Sequence, residues 1–326
     1  MLDRVNVVER VHRSPARDVA RASTHTVNDC NPAGSGRSRG KPAPASGQFR
    51  PRGYVHDMED LRGRTAVITG GASGIGLATA RLLSGEGVNL VLTDIEKTAL
   101  DAACDELGAT GVVADVRDLS AVQFLADTAF ETHGRVDIVF NNAGVAVGGP
   151  VAEMTHADWK WVIDVDLWGP IHGVEAFLPR MIAQGGGGHL LFTASFAGLV
   201  PNIGLGPYCV AKYGVVALAE VIHKELRAHD IGVSVLCPMR VATNIGSSER
   251  NRPVELGGPE ASPRVPDQSD DNPEQAGSVL PVELVAARVI DAITSNWLYI
   301  LPHPESREFV QRRFARIERA YDDHVA

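Results

Sequence analysis

No stretch of this 326-residue chain approaches the roughly 20 consecutive apolar residues that a membrane-spanning helix needs, so the reading is of a soluble, cytoplasmic chain with no membrane partner. Cysteine is scarce. Cys30, Cys104, Cys209 and Cys237 stand far apart, with no CxxC pair and no His/Cys cluster at metal-ligand spacing. That excludes a disulfide framework or a zinc module and predicts reduced thiols and no metal. Positive charge is also in deficit, 31 Lys and Arg against 40 Asp and Glu, so the molecule offers no electrostatic footprint for nucleic acid. What is present is ordinary for a folded enzyme-sized domain: 44% hydrophobic and 22% charged residues, enough to fill a sizeable core.

The first 57 residues differ from the rest. They hold ten Lys and Arg against five Asp and Glu, with GSGRSRGKPAPASG as a low-complexity stretch and no persistent helical or strand period. Asp3, Glu9, Asp18 and Asp29 argue against an organellar transit peptide, which is acid-poor. A nucleic-acid-binding arm would need clustered arginines with aromatics between them, and these are dispersed. The segment 1–57 is therefore read as a disordered or non-native extension, with Met58 as a plausible start of the domain that spans 58–326.

From Thr65 onward, short apolar runs alternate with helical stretches. The strand candidates are 65–70, 88–94, 111–114, 136–142, 189–195, 233–238 and 298–302. They are continuously apolar, which fits strands buried on both faces. Helices of this length between them imply right-handed crossovers, hence an α/β, Rossmann-type, doubly wound parallel sheet of about seven strands with helices on both faces. Ligands of such sheets sit beyond the carboxyl ends of the strands. Residues 247–278, rich in Pro, Gly and acids, break the rhythm and are expected to form a flexible lid over that end. The stretch ESREFVQRRFARIERAYDD reads as an amphipathic terminal helix.

Directly after the first strand comes Thr69-Gly70-Gly71-Ala72-Ser73-Gly74-Ile75-Gly76. Glycines allow close approach of a pyrophosphate to the backbone, and the following helix start supplies free amides. The second strand ends at Asp94, where a carboxylate can accept from ribose hydroxyls and repel a 2′-phosphate. Asp94 could equally cap the next helix. The spacing T-G-x-x-x-G-x-G resembles the short-chain dehydrogenase/reductase family, in which it is the cofactor turn. The resemblance implies a cofactor site made of Gly70, Ser73, Gly74, Ile75, Gly76 and Asp94, with Asp115 and Val116 beside adenine, Asn142-Ala143-Gly144 as the family's N-N-A-G element, and Thr243 near the nicotinamide. Asp94, with Ser73 and Ile95 where relatives that use NADP often carry a basic residue, favours NAD over NADP.

Tyr208 and Lys212 have Y-x-x-x-K spacing, which puts both on one helix face; a neighbouring ammonium favours the phenolate, so the tyrosine can act as general acid or base. The resemblance adds Ser195 as the substrate-oxygen serine and gives Lys212 the nicotinamide ribose. Together these imply a dehydrogenase interconverting a secondary alcohol and a ketone, over roughly residues 60–303. Two positions depart from the family. Asp166 stands where relatives have the Asn of a proton relay, and Met239 follows Pro238 in place of Gly. Asp166 could pair with Lys212 and shift the pH profile. The rival reading is a non-catalytic NAD-binding regulator on the same fold. Glycine spacing disfavours extended-type epimerases, and the Tyr–Lys spacing disfavours enoyl reductases. Phe196, Ala197, Val200, Pro201, Met239 and the lid are the candidate walls for an apolar alcohol or ketone. The resemblance also implies a homodimer or homotetramer built on long helices near 155–183 and 207–229.

Overall fold

The computed structural model describes Met58, residues 60–259 and residues 277–323. The readings made for 1–57 therefore lie outside the described residues, as does most of the proposed lid.

Seven parallel strands form one sheet: β1 (Thr65–Thr69), β2 (Asn89–Asp94), β3 (Thr110–Val113), β4 (Ile138–Asn141), β5 (Gly188–Thr193), β6 (Ile231–Leu236) and β7 (Tyr299–Ile300). Their spatial order is β3-β2-β1-β4-β5-β6-β7, so the winding reverses between β1 and β4. Each strand lies within two residues of its expected limits at either end. The continuous apolar runs have a direct cause in the pleat. Alternate side chains of one strand enter different cores, Val67 on one face and Ala66 and Ile68 on the other.

The helices divide between those faces. α1 (Gly74–Gly85), α2 (Lys97–Leu107) and α7 (Val282–Ser295) bury Leu83, Leu100 and Val289 with Ile68 and Leu92. α3 (Leu119–His133), α5 (Gly169–Gln184) and α6 (Gly206–Glu225) bury Leu125, Phe177 and Val215 with Val139 and Phe192. Left-handed glycines end two of them, Gly108 after α2 and Gly134 after α3.

The expected long helix near 155–183 is three pieces in one run. α4 (His156–Ile163) starts on a Thr155/Asp158 capping box, passes through a π-helical turn at Asp164–Trp168, and continues as α5. The last helix, α8 (Ser306–Asp323), lays Phe309 and Val310 over Phe196, Val200 and Met239. Phe309 meets Phe196 edge to face at 5.9 Å between ring centroids.

Over 247–259, the first described part of the lid expected at 247–278, the stretch after β6 is not structureless. Two short 3-10 turns form, Ile245–Asn251 and Val254–Leu256. Side chains distant in sequence tie them down. Ser248 Oγ donates to the Ala146 carbonyl and accepts from its amide. Arg252 ion-pairs with Asp158 at 2.7 Å with both side chains buried, and its Nε donates to the Leu256 carbonyl at 2.6 Å. Charged and polar composition marks a loop only while its partners are unknown.

Candidate active site

A cavity runs along the carboxyl ends of the strands at the winding reversal. Gly70, Ser73, Gly74, Ile75, Asp94, Asp115, Val116, Asn142, Ala143, Gly144, Tyr208, Lys212 and Thr243 all line it. Three site residues expected from sequence do not: Gly76, Asp166 and Ser195 stand behind the surface.

Gly76 acts through what it lacks. A Cβ there would lie 2.3 Å from the Gly70 carbonyl oxygen and 2.7 Å from Asn142 Nδ2. Gly70 itself has φ +61°, and a Cβ on it would meet Ala143 Cα at 2.9 Å. Turn, helix start and the strand β4 end are thus packed backbone to backbone. Ser73 occupies the N-cap position of α1 without its hydroxyl capping any helix amide, which leaves the first-turn amides for a ligand.

Asn142 ties three strand ends together. Its Nδ2 donates to the carbonyls of Thr69 (3.1 Å) and Gly70 (3.2 Å), and its Oδ1 accepts from Thr193 Oγ1 at 3.0 Å. Thr69 Oγ1 accepts from the amides of Asn142 and Ala143. Thr193 went unnoticed in the sequence, although a threonine closing a buried strand beside a known polar site was the available signal.

Asp94 accepts from the Ala72 amide at 3.2 Å and the Glu96 amide at 3.1 Å, so it braces the glycine turn and caps its own bend. Burial pushes its carboxyl above the usual range, while these amide donors pull it back. Asp115 forms a forked pair with Arg117, Nε at 2.9 Å and Nη2 at 2.7 Å. Thr243 stands against Gly74, its Cγ2 3.2 Å from where a Cβ would be.

At the other end of the cavity α6 presents Tyr208 and Lys212, with the Lys212 Nζ 5.4 Å from the tyrosine ring centroid. Lys212 Nζ donates to the Thr193 carbonyl at 3.0 Å and pairs with Asp166 Oδ2 at 3.0 Å. Both side chains are buried, 2% and 0% exposed, so this is a desolvated ion pair. The other Asp166 oxygen accepts from the Val145 amide at 2.8 Å. Burial raises the Asp166 carboxyl above its ordinary range; Lys212 and the Val145 amide oppose the shift. The π-helical turn is what carries Asp166 inward at this level.

Ser195 follows β5 and caps the short turn Phe196–Gly198, its Oγ accepting from the Ala197 amide at 3.1 Å and approaching the Pro238 carbonyl at 3.5 Å. That turn packs on α6 so closely that a Cβ on Gly198 would lie 2.6 Å from the Lys212 carbonyl. The apolar walls named from sequence are in a different place. Phe196, Ala197, Val200 and Met239 are buried, three of them under α8, and Pro201 is exposed. Val145, Trp161 and Val165 line the cavity instead. Trp161 and Val165 are four apart on one helical run, a spacing that could have marked them.

A glycine cradle at the winding reversal of a doubly wound sheet, with a Tyr/Lys pair in the same cavity, defines a nicotinamide-dependent oxidoreductase fold and site. The family model described as short chain dehydrogenase matches residues 64–253. The chain belongs to the short-chain dehydrogenase/reductase family, whose members act on hydroxyl and keto groups. It is 34% identical to the C alpha-dehydrogenase of a Sphingobium species over 80% of this chain and 87% of that protein. It is 42% identical to the 1-deoxy-11-beta-hydroxypentalenate dehydrogenase of Streptomyces avermitilis over 56% of this chain and 70% of that one. Among solved structures, a short chain dehydrogenase/reductase from Burkholderia phymatum in complex with NAD superimposes with a TM-score of 0.72 at 37% identity, covering 79% of this chain and 95% of that one.

Proposed function

We propose that this protein is an NAD(H)-dependent oxidoreductase that interconverts a secondary alcohol and a ketone, with Tyr208 as the general acid/base. The observation that carries the reading is the shared cavity: the glycine cradle, Asp94, Tyr208 and Lys212 all face one space. The residues fit a dinucleotide, because the cradle is closed to any Cβ at Gly70 or Gly76 and the α1 amides are uncapped. Gly70, Ser73, Gly74 and Ile75 would hold the pyrophosphate, Asp94 the adenosine ribose, and Asn142, Ala143, Gly144 and Thr243 the nicotinamide half. When bound, the nicotinamide accepts or supplies the hydride.

The chain's own groups do the rest. Tyr208 takes the carbinol proton in oxidation and returns it to the carbonyl oxygen in reduction. Lys212, its ammonium buried 5.4 Å from the phenol ring centroid, would bind the nicotinamide ribose and position it beside Tyr208. Ser195 hydrogen-bonds the same substrate oxygen, giving up its contact with Pro238 to do so. Asp166 keeps Lys212 in position by its ion pair. Val145, Trp161 and Val165 give the cavity an apolar wall, which favours an apolar alcohol or ketone. The carboxylate at Asp94 favours NAD over NADP, and NAD favours the oxidative direction. Trp168, Val210 and Val221 are exposed on the helical run 156–184 and on α6, which supports a homodimer or homotetramer assembled on those helices.

The test is an assay of purified protein with a panel of secondary alcohols and ketones against NAD(H) and NADP(H). Turnover with NAD and its loss by about 10²-fold or more in Tyr208→Phe is expected. Dinucleotide binding with no turnover of any substrate, or turnover unchanged in Tyr208→Phe, refutes the catalytic reading and leaves the regulator.

A further inference from the structure

Among the described residues, three cations line the cavity, and each already holds a carboxylate: Arg117 with Asp115, Lys212 with Asp166, and Arg250 with Glu96. The third pair is unlike the others because it spans the cavity mouth. Glu96 follows β2, two residues past Asp94, while Arg250 belongs to the turn Ile245–Asn251 after β6. Arg250 Nε and Nη2 donate to Glu96 Oε1 at 3.1 and 2.6 Å. Its Nη1 donates to the carbonyls of Asn244 (3.3 Å) and Ser247 (2.9 Å) and to Ser247 Oγ (3.1 Å). Asn251 Nδ2 donates to the same Glu96 oxygen at 2.8 Å. Every nitrogen of the guanidinium is engaged.

We propose that Glu96 selects the cofactor by holding Arg250: the pair withholds, at the adenosine end of the cavity, a guanidinium that would otherwise bind a 2′-phosphate. This rests on the reading of the cavity as a dinucleotide site with the adenosine ribose at Asp94. A guanidinium is the side chain best suited to a phosphate, offering two parallel donors and a charge that does not titrate. Placed beside Asp94 and uncommitted, Arg250 would offset the repulsion that Asp94 exerts on a 2′-phosphate. Committed to Glu96, it adds no net charge, and the Asp94 carboxylate is left without a compensating cation at that position. Selection against the phosphorylated dinucleotide is thus divided between Asp94, which occupies the ribose position, and Glu96, which neutralises the Arg250 guanidinium. The pair is about one-third exposed on each side, 38% and 36%, so its effect is screened by salt and modest in size.

The experiment titrates NADH and NADPH by fluorescence into the full chain as wild type, Glu96→Gln, Arg250→Gln and the double variant. Glutamine keeps an oxygen for Asn251 and removes only the charge. Expected is an NADPH affinity about tenfold tighter in Glu96→Gln, with NADH changed less than about threefold, and loss of the gain when Arg250→Gln is added. The gain should shrink as ionic strength rises. A gain that survives in the double variant belongs to the lost Glu96 charge alone and overturns the role of Arg250. An unchanged ratio of the two affinities in Glu96→Gln, with the wild type binding NADH, overturns the proposal and leaves the cofactor reading intact. A wild type that binds neither dinucleotide overturns both.

Discussion

Gly76→Ala sets two effects of opposite sign against each other, and the structure decides between them. Gly76 lies in the first turn of α1, where alanine is intrinsically better than glycine by about 0.8–1.0 kcal/mol. Its Cβ, however, would stand 2.3 Å from the Gly70 carbonyl oxygen, roughly 1 Å inside ordinary contact. The oxygen cannot retreat freely, because Gly70 is itself pressed on Ala143 and its carbonyl is held by Asn142 Nδ2. Overpacking of this kind costs about 1–3 kcal/mol, so the net change is a destabilisation of about 0–2 kcal/mol. The displaced carbonyl belongs to the phosphate turn, and a shift near 1 Å there should weaken NADH binding by about tenfold to a hundredfold. Gly85→Ala is the control. It sits in the same helix with nothing within 4 Å of a Cβ, and should stabilise by about 0.5–1 kcal/mol without touching binding. Thermal unfolding and NADH titration of the two variants give the answer. If Gly76→Ala gains stability as Gly85→Ala does and keeps wild-type affinity for NADH, the argument from backbone contact is wrong.

Further expectations concern charges inside the site. Burial raises the Asp166 carboxyl, so its contribution to stability is fully present below the unfolded-state value and declines as pH rises through the folded-state value. Asp166→Asn abolishes that titration: its stability should fall less than the wild type's over this rise, and the acid limb of kcat/KM should move while NADH affinity changes little. Superimposable stability and activity profiles for the two proteins would remove Asp166 from the relay. Arg252→Met takes the guanidinium away from the buried Asp158 carboxylate, and should cost about 3–5 kcal/mol, seen as a Tm lower by about 10 °C. A drop of less than about 3 °C would show that this buried pair is not what fastens the turns after β6. Asp94→Ser should narrow the preference for NADH over NADPH, measured as a ratio of affinities; a widened preference would remove Asp94 from the ribose position.

Most of the fold was legible because its signals are local. A buried parallel strand must be apolar on both faces, and β1, β2 and β4–β6 are written that way. The glycine turn after β1 and the Tyr208/Lys212 spacing are likewise short-range patterns whose geometry follows from one turn and one helix. Met239 and Phe196 were misplaced for the opposite reason. Their apolarity says that they are covered without saying by what, and the cover is Phe309 of a helix more than sixty residues away in sequence.

By itself the sequence determined the doubly wound sheet, the phosphate turn and the pairing of a phenol with an ammonium, since periodicity and spacing act within a few residues. Tertiary structure alone decided which carboxylate Arg252 and Arg250 would hold, Asp158 and Glu96, while it bore out the pairing of Asp166 with Lys212 that the sequence had suggested. An ion pair is specified by distance in space and by the water excluded around it, and neither is written in the order of residues along the chain.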